Sequence, residues 1–139
     1  MRRNISISTV SSTGSNSPRP NVCIKAPGFI ARAARDPDIR IEPAWKVSLV
    51  YGMPCAVYHQ FPAAYYLAAR FADDFESAVL HAVNGGGQNQ ARAILTGALA
   101  GAQTGLSGIP ARFIEGLADA GLLLAQCERL AGQLMASAP

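Results

Sequence analysis

Residues 73–110 of this chain read DDFESAVLHAVNGGGQNQARAILTGALAGAQTGLSGIP. Two stretches with helical patterning lie on either side of the glycine turn, residues 85–88. Asp73 and Glu76 have the spacing of a capping box, in which each side chain pairs with an exposed backbone amide at a helix start. The glycine turn ends this first helix, and the second is predicted to begin near Asn89 or Gln90.

The second helix carries a stripe of small residues. Ala93, Gly97, Gly101 and Gly105 recur every four residues, and such a stripe allows a neighbouring backbone to approach closely. The same pattern is found where transmembrane helices dimerise. However, the uncharged run 93–110 is short and rich in Ala and Gly, whereas a span needs about 20 strongly apolar residues. A packed helix outside the membrane is therefore predicted.

The remaining segments are also predicted to be mainly helical. Pro62 suits the first turn of a helix that runs to about Arg70, and Pro110 opens a final helix that runs to about Met135. The apolar stripe of that final helix comprises Phe113, Leu117, Ala120, Leu124, Cys127, Ala131 and Leu134. Residues 47–51 are predicted to be a short strand or a buried extended piece. The expected architecture is all-α.

Composition limits the domain count and the class of partner. A chain of 139 residues, half of them apolar, is long enough for one domain with a real core. Residues 1–35 carry six basic and no acidic residues, whereas 36–139 carry six basic and nine acidic ones. Because the folded part is slightly acidic, a nucleic-acid-binding domain is not expected. Three widely spaced cysteines, Cys23, Cys55 and Cys127, favour reduced thiols in an intracellular, cytoplasmic protein.

Residues 1–22 are predicted to form a leader outside the domain, which would occupy 23–139. The first twenty residues are rich in Arg, Ser and Thr, contain no acid and are interrupted by Pro18 and Pro20. They lack the apolar run of a secretory signal. A disordered tail and an organelle transit peptide both fit this composition, so organellar import stays open.

The glycine turn is the one constellation able to carry chemistry. Gly86, Gly87, Gln88, Asn89 and Gln90 are a candidate seat for a phosphate or diphosphate, because free amides at a helix start bind anions. The alternative is a plain link between helices. No carboxylate occurs between Glu76 and Glu115. His59 and His81 have no Asp, Glu or Cys at ligand spacing, so no metal ligand and no catalytic residue is predicted.

Residues 60–117 resemble the ADP-ribosylglycohydrolase family, and most closely its branch of selenoprotein J and the J-type crystallins. The matching segments are QFPAAYYL at 60–67, ADDFESA at 72–78, AVNGGGQNQA at 82–91, GALAGA at 97–102 and GIPARF at 108–113. The resemblance implies an orthogonal helical domain like the C-terminal part of that fold. In active members it also implies two magnesium ions and cleavage of ADP-ribose from modified side chains.

This chain departs from the family where the metal ligands would stand. Active members read Gly-Gly-Asp-x-Asp-Thr or Ser at the turn, whereas Gly86 and Gly87 are followed here by Gln88-Asn89-Gln90-Ala91. The Thr-Asp-Asp pattern of the family's N-terminal half has no match. Magnesium relies on carboxylate charge, so no cofactor is expected. The prediction is a catalytically silent, crystallin-like relative with a structural or partner-binding role.

Two alternatives remain open. A hydrolase could be completed by a homo-oligomer or by a partner that supplies the missing half. Alternatively, the turn amides could bind an ADP-ribose-type ligand without metal. Neither a nucleic acid nor a membrane is an expected partner.

Overall fold

The computed structural model describes residues 28–137, and within that range it is all-α. The helices are α1 (Gly28–Arg35), α2 (Val47–Tyr51), α3 (Val57–Arg70), α4 (Phe75–Asn84), α5 (Asn89–Thr104), α6 (Ala111–Glu115) and α7 (Ala120–Ala136). Short 3-10 turns occupy Ala44–Lys46 and Leu106–Gly108. This confirms the predicted fold class. The leader, residues 1–22, lies outside the described residues.

Helix α3 is the centre of the core. It packs against α1, α2, α4 and α5, and seven of its fourteen residues are buried, among them Tyr66 and Leu67. Most of the buried side chains around it are alanines. Because these side chains are small, the helix axes can lie close together. The Tyr66 hydroxyl accepts a hydrogen bond from the Ile41 amide at 2.6 Å, which ties the segment before α2 to this core.

Helix α3 begins earlier than the sequence predicted. Pro62 lies inside it rather than in its first turn. The additional first turn is tied to the preceding loop, because the side-chain amide of Gln60 donates a hydrogen bond to the Pro54 carbonyl at 2.5 Å. The prediction of a strand or extended piece at 47–51 is wrong, since Val47–Tyr51 forms a short helix. Its buried Val47 and Ser48 explain why contacts with α3 override a β-branched sequence.

The predicted capping box at the start of α4 is displaced by one residue. The N-cap is Asp74, whose side chain accepts from the Ser77 amide at 2.9 Å and from its hydroxyl at 2.6 Å. Glu76 forms an ion pair with Arg112 instead. The Phe75 and Phe113 rings meet edge to face with centroids 5.5 Å apart, so these two contacts attach α6 to α4.

The small stripe on α5 faces side chains rather than another backbone. A methyl group added to Gly97 would lie 3.8 Å from Val79 Cγ2, and one added to Gly101 would lie 3.7 Å from Phe75 Cε2. Both are ordinary van der Waals distances. Helix α5 therefore packs against α4 without a steric requirement for glycine at these two positions.

The predicted final helix is broken in two. Helix α6 ends at Glu115, with Gly116 as its C-cap, and Asp119 adopts a left-handed conformation (φ 58°) before α7 begins. Asp tolerates this conformation better than most residues. Helix α7 has no buried residue. Its apolar stripe is thus present, but within the described part of the chain only Ala120 and Leu124 of it are half-buried and none is buried.

Candidate functional site

The glycine turn joins the end of α4 to the start of α5. Gly86 and Gly87 both have positive φ, 68° and 60°, which glycine adopts without strain. A methyl group on Gly87 would lie 2.5 Å from Met53 Cβ, whereas one on Gly86 would meet nothing within 4 Å. Glycine is therefore required at position 87 by both the lack of space and the positive φ, and at position 86 by the positive φ alone.

Arg92 is the residue around which the turn is built, and sequence reasoning missed it. Its side chain is fully buried. Nε donates to the Ala82 carbonyl at 3.0 Å, Nη2 to the Gly86 carbonyl at 2.5 Å and Nη1 to Gln60 Oε1 at 3.3 Å. A helix leaves its last carbonyls without partners, so the guanidinium of α5 closes the end of α4.

Two further side chains satisfy carbonyls at the same helix end. The buried Ser48 hydroxyl donates to the Gly85 carbonyl at 2.6 Å, and the Asn89 side-chain amide donates to the Val83 carbonyl at 3.2 Å. Together with Arg92, they satisfy four backbone carbonyls at this helix end, those of Ala82, Val83, Gly85 and Gly86. The turn is consequently fixed from its inner side by α2, α3 and α5.

The charge at this site is positive. Burial lowers the pKa of Arg92 below its usual range, but a guanidinium remains protonated at neutral pH. The carbonyls at the end of α4 offset part of the charge, since a helix C-terminus favours cations. Within residues 28–137, the Arg92 guanidinium donates to two backbone carbonyls and one side-chain amide, and to no carboxylate.

The amides at the start of α5 divide into two sets. The Gln88 amide donates to the Met53 carbonyl at 3.0 Å, and the Arg92 amide to the Gln88 carbonyl at 3.4 Å. Across the described residues, the amides of Asn89, Gln90 and Ala91 have no intramolecular acceptor. The structure thus brings the five predicted seat residues together in one turn, although the Gln88 amide is already engaged.

Comparison with known protein families decides the relationship. A family model described as ADP-ribosylglycohydrolase matches residues 9–139. The chain belongs to the ADP-ribosylglycohydrolase family. No curated protein and no solved structure matches it significantly. The closer likeness to the selenoprotein J and J-type crystallin branch stays a prediction.

The residues at the turn do not fit the magnesium ions of active family members. The side chains at positions 88 and 90 are neutral amides, and the Gly86 carbonyl already accepts from a guanidinium. Among the residues that the structure covers, no cluster of three His, Cys, Asp or Glu side chains is suited to a metal ion. Magnesium binds through hard anionic oxygens, so the chemistry of this donor set is wrong for it.

The two histidines lie elsewhere. His81 is half-buried, and its ring stacks on Phe71 with centroids 4.8 Å apart. His59 Nδ1 pairs with the Tyr51 carbonyl. Within residues 28–137, no helix is long and apolar enough to cross a membrane.

Proposed function

We propose that this chain is a catalytically silent ADP-ribosylglycohydrolase-family protein with a structural or partner-binding role. The observation that carries the proposal is the pairing of a buried guanidinium with the Gly86 carbonyl, at a turn whose carboxylates are replaced by Gln88 and Gln90. A positive charge held at this turn disfavours divalent cations, whereas the packing of α3, α4 and α5 does not depend on metal. A reduced, cytoplasmic setting is part of the proposal, on the ground that Cys23, Cys55 and Cys127 are widely spaced in the sequence.

Magnesium calorimetry on the full chain tests this proposal. We expect no saturable binding at millimolar magnesium and no release of ADP-ribose from ADP-ribosylated protein. The matched variant is Gln88→Asp with Gln90→Asp, which adds two carboxylates without changing side-chain length by more than one methylene. Saturable magnesium binding by the unaltered chain, accompanied by hydrolysis, would overturn the proposal.

Hydrolase activity completed by oligomerisation is the alternative on the enzyme side. It requires a second chain to supply the ligands that residues 28–137 lack. If the Gln88→Asp, Gln90→Asp variant gains neither magnesium binding nor turnover at concentrations where the protein self-associates, this alternative loses its basis.

Metal-independent binding of an ADP-ribose-type ligand is favoured by one specific observation. The amides of Asn89, Gln90 and Ala91 have no acceptor within the described chain, and they stand at the positive end of a sixteen-residue helix. Amide chemical shifts recorded with ADP-ribose would test it. Shifts confined to residues 86–91 would support such a binding module, whereas unchanged spectra at millimolar ligand would exclude it.

A further inference from the structure

Helix α7 presents an apolar face that residues 28–137 leave largely uncovered, with only Ala120 and Leu124 half-buried. Seventeen residues long, it contains no buried residue. Leu123, Leu130 and Leu134 are 43%, 58% and 63% exposed. Glu128 and Arg129 are its only charged side chains.

The apolar residues of this face are arranged symmetrically about Cys127. They lie three, four and seven positions before it and after it, the spacing that places side chains on one side of a helix. The six positions are Ala120, Leu123, Leu124, Leu130, Ala131 and Leu134.

We infer that α7 is a self-association surface, which pairs antiparallel with α7 of a second copy across a two-fold axis at Cys127. Antiparallel pairing about that axis sets Ala120 opposite Leu134 of the second copy, and Leu123 opposite Ala131. Large side chains then meet small ones, which fills the space between two helices without gaps. The remaining layers place Leu124 against Leu130 and the two thiols against each other.

Parallel pairing of the same face packs less well. It would set Ala131 against Ala131 and Leu134 against Leu134, which alternates voids with crowding along the contact. The two-fold antiparallel arrangement is isologous, so one patch serves both copies and the assembly closes as a dimer.

The chain's own N-terminal segment is a poorer occupant of this face. Its large apolar side chains within residues 1–27 are Met1, Ile5, Ile7, Val10, Val22 and Ile24, and three arginines and one lysine accompany them without any acid. With a single acid on α7, Glu128, the face offers little to attract a basic segment. A second copy supplies the apolar side chains that the face requires.

The size of the contact predicts weak association. A seventeen-residue helix is about 25 Å long, so a single helix pair buries less than the roughly 1,200 Å² of a standard stable interface. The dimer is therefore concentration-dependent. It does not rely on the silence of the glycine turn, because α7 lies outside that site.

Sedimentation velocity of the full chain up to millimolar concentration tests the inference, with Leu130→Glu compared against Ala125→Glu. Both variants add one carboxylate to α7, but Ala125 lies on the opposite side of the helix. We expect a reversible dimer that Leu130→Glu weakens about a hundredfold or more and that Ala125→Glu retains. A monomer at every concentration, or a dimer indifferent to Leu130→Glu, would overturn the inference.

Thiol cross-linking gives a readout that does not depend on how well Leu130→Glu folds. With Cys23 and Cys55 replaced by serine, a short bismaleimide is expected to join Cys127 to Cys127 of the second copy. When Leu134→Cys is introduced into the same background with Cys127→Ser, no cross-link is expected, since two such thiols would lie about 21 Å apart in the antiparallel dimer. Efficient cross-linking at position 134, or none at position 127, would contradict the antiparallel pairing.

Discussion

Nη2 of Arg92 lies 2.5 Å from the carbonyl oxygen of Gly86. This contact joins the first turn of α5 to the loop that follows α4, and it places a fixed positive charge at the glycine turn. Where active relatives are expected to hold cations with carboxylates, this chain holds backbone carbonyls with a cation of its own. The local electrostatics are thus opposite to those of a magnesium site.

Loss of the Arg92 guanidinium should destabilise the protein strongly. Arg92→Met keeps much of the aliphatic volume but leaves the Ala82 and Gly86 carbonyls and the Gln60 side chain without their donor. The expected loss in the free energy of unfolding is roughly 2–4 kcal/mol, measured by urea denaturation. Arg112→Met is the control, because its exposed ion pair with Glu76 should cost at most about 1 kcal/mol. Equal losses in the two variants would argue against an organising role for Arg92.

Alanine substitutions of individual glycines should have opposite effects on stability. Gly87→Ala forces a side chain into positive φ and against Met53, so we expect a loss of more than about 1 kcal/mol. Gly97→Ala has room and sits inside α5, where alanine is favoured by about 0.5–1 kcal/mol. In thermal denaturation, the melting temperature of Gly87→Ala should therefore lie below that of the unaltered chain, and that of Gly97→Ala above it. A destabilised Gly97→Ala would mean that another helix approaches the stripe more closely than the packing of α4 on α5 allows.

The cap of α4 should give a stability difference that depends on pH. Hydrogen bonds from the Ser77 hydroxyl and amide hold the pKa of Asp74 below its ordinary value. Its contribution is therefore complete above the unfolded-state pKa, about 3.9, and is lost as pH falls through the lower folded-state pKa. Asp74→Ala should cost about 1 kcal/mol at neutral pH, and this difference should shrink in acid. Asp74→Asn retains an acceptor that does not titrate, so the difference in unfolding free energy between Asp74→Asn and Asp74→Ala should change little with pH. An Asp74→Ala penalty unchanged in acid would contradict the assignment.

Glu128 should weaken the proposed α7 dimer slightly. It lies one residue from the two-fold axis at the rim of the contact, so the carboxylates of the two copies approach each other. Removing such a like-charge pair with Glu128→Gln should tighten association by about twofold, as followed by sedimentation. Arg129→Gln, on the opposite side of the helix, should leave it unchanged. Weaker dimerisation of Glu128→Gln would argue against antiparallel pairing.

The sequence predicted those elements that local signals define. The glycine turn and the start of α5 were placed because glycines mark helix ends whatever the tertiary context. Arg92 was missed because its role depends on carbonyls from another helix. One signal was present, since Arg92 is the only Lys, Arg, Asp or Glu between Glu76 and Arg112. A single cation in the first turn of a helix interacts unfavourably with the helix dipole, so it indicates hydrogen-bond acceptors elsewhere in the fold that stabilise it.

The remaining errors have similar origins. Two adjacent aspartates made the cap ambiguous by one residue, and only the Ser77 hydrogen bonds select Asp74. The break at Gly116 and Asp119 was not predicted, because the apolar pattern of the last helix continues across it and periodicity does not detect a short left-handed turn. Residues 47–51 became helical through burial against α3 rather than through their own preference.

Manganese-induced broadening of amide resonances tests the central claim most directly. Manganese takes the same hard oxygen ligands as magnesium, and its paramagnetism identifies any site by the amides that disappear first. With substoichiometric manganese, we predict that the amide resonances of residues 86–91 broaden no more than those of exposed amides elsewhere. The Gln88→Asp, Gln90→Asp variant, which adds two carboxylates at the turn, is the comparison. Selective loss of the Gly86 to Ala91 resonances in the unaltered chain would contradict the account.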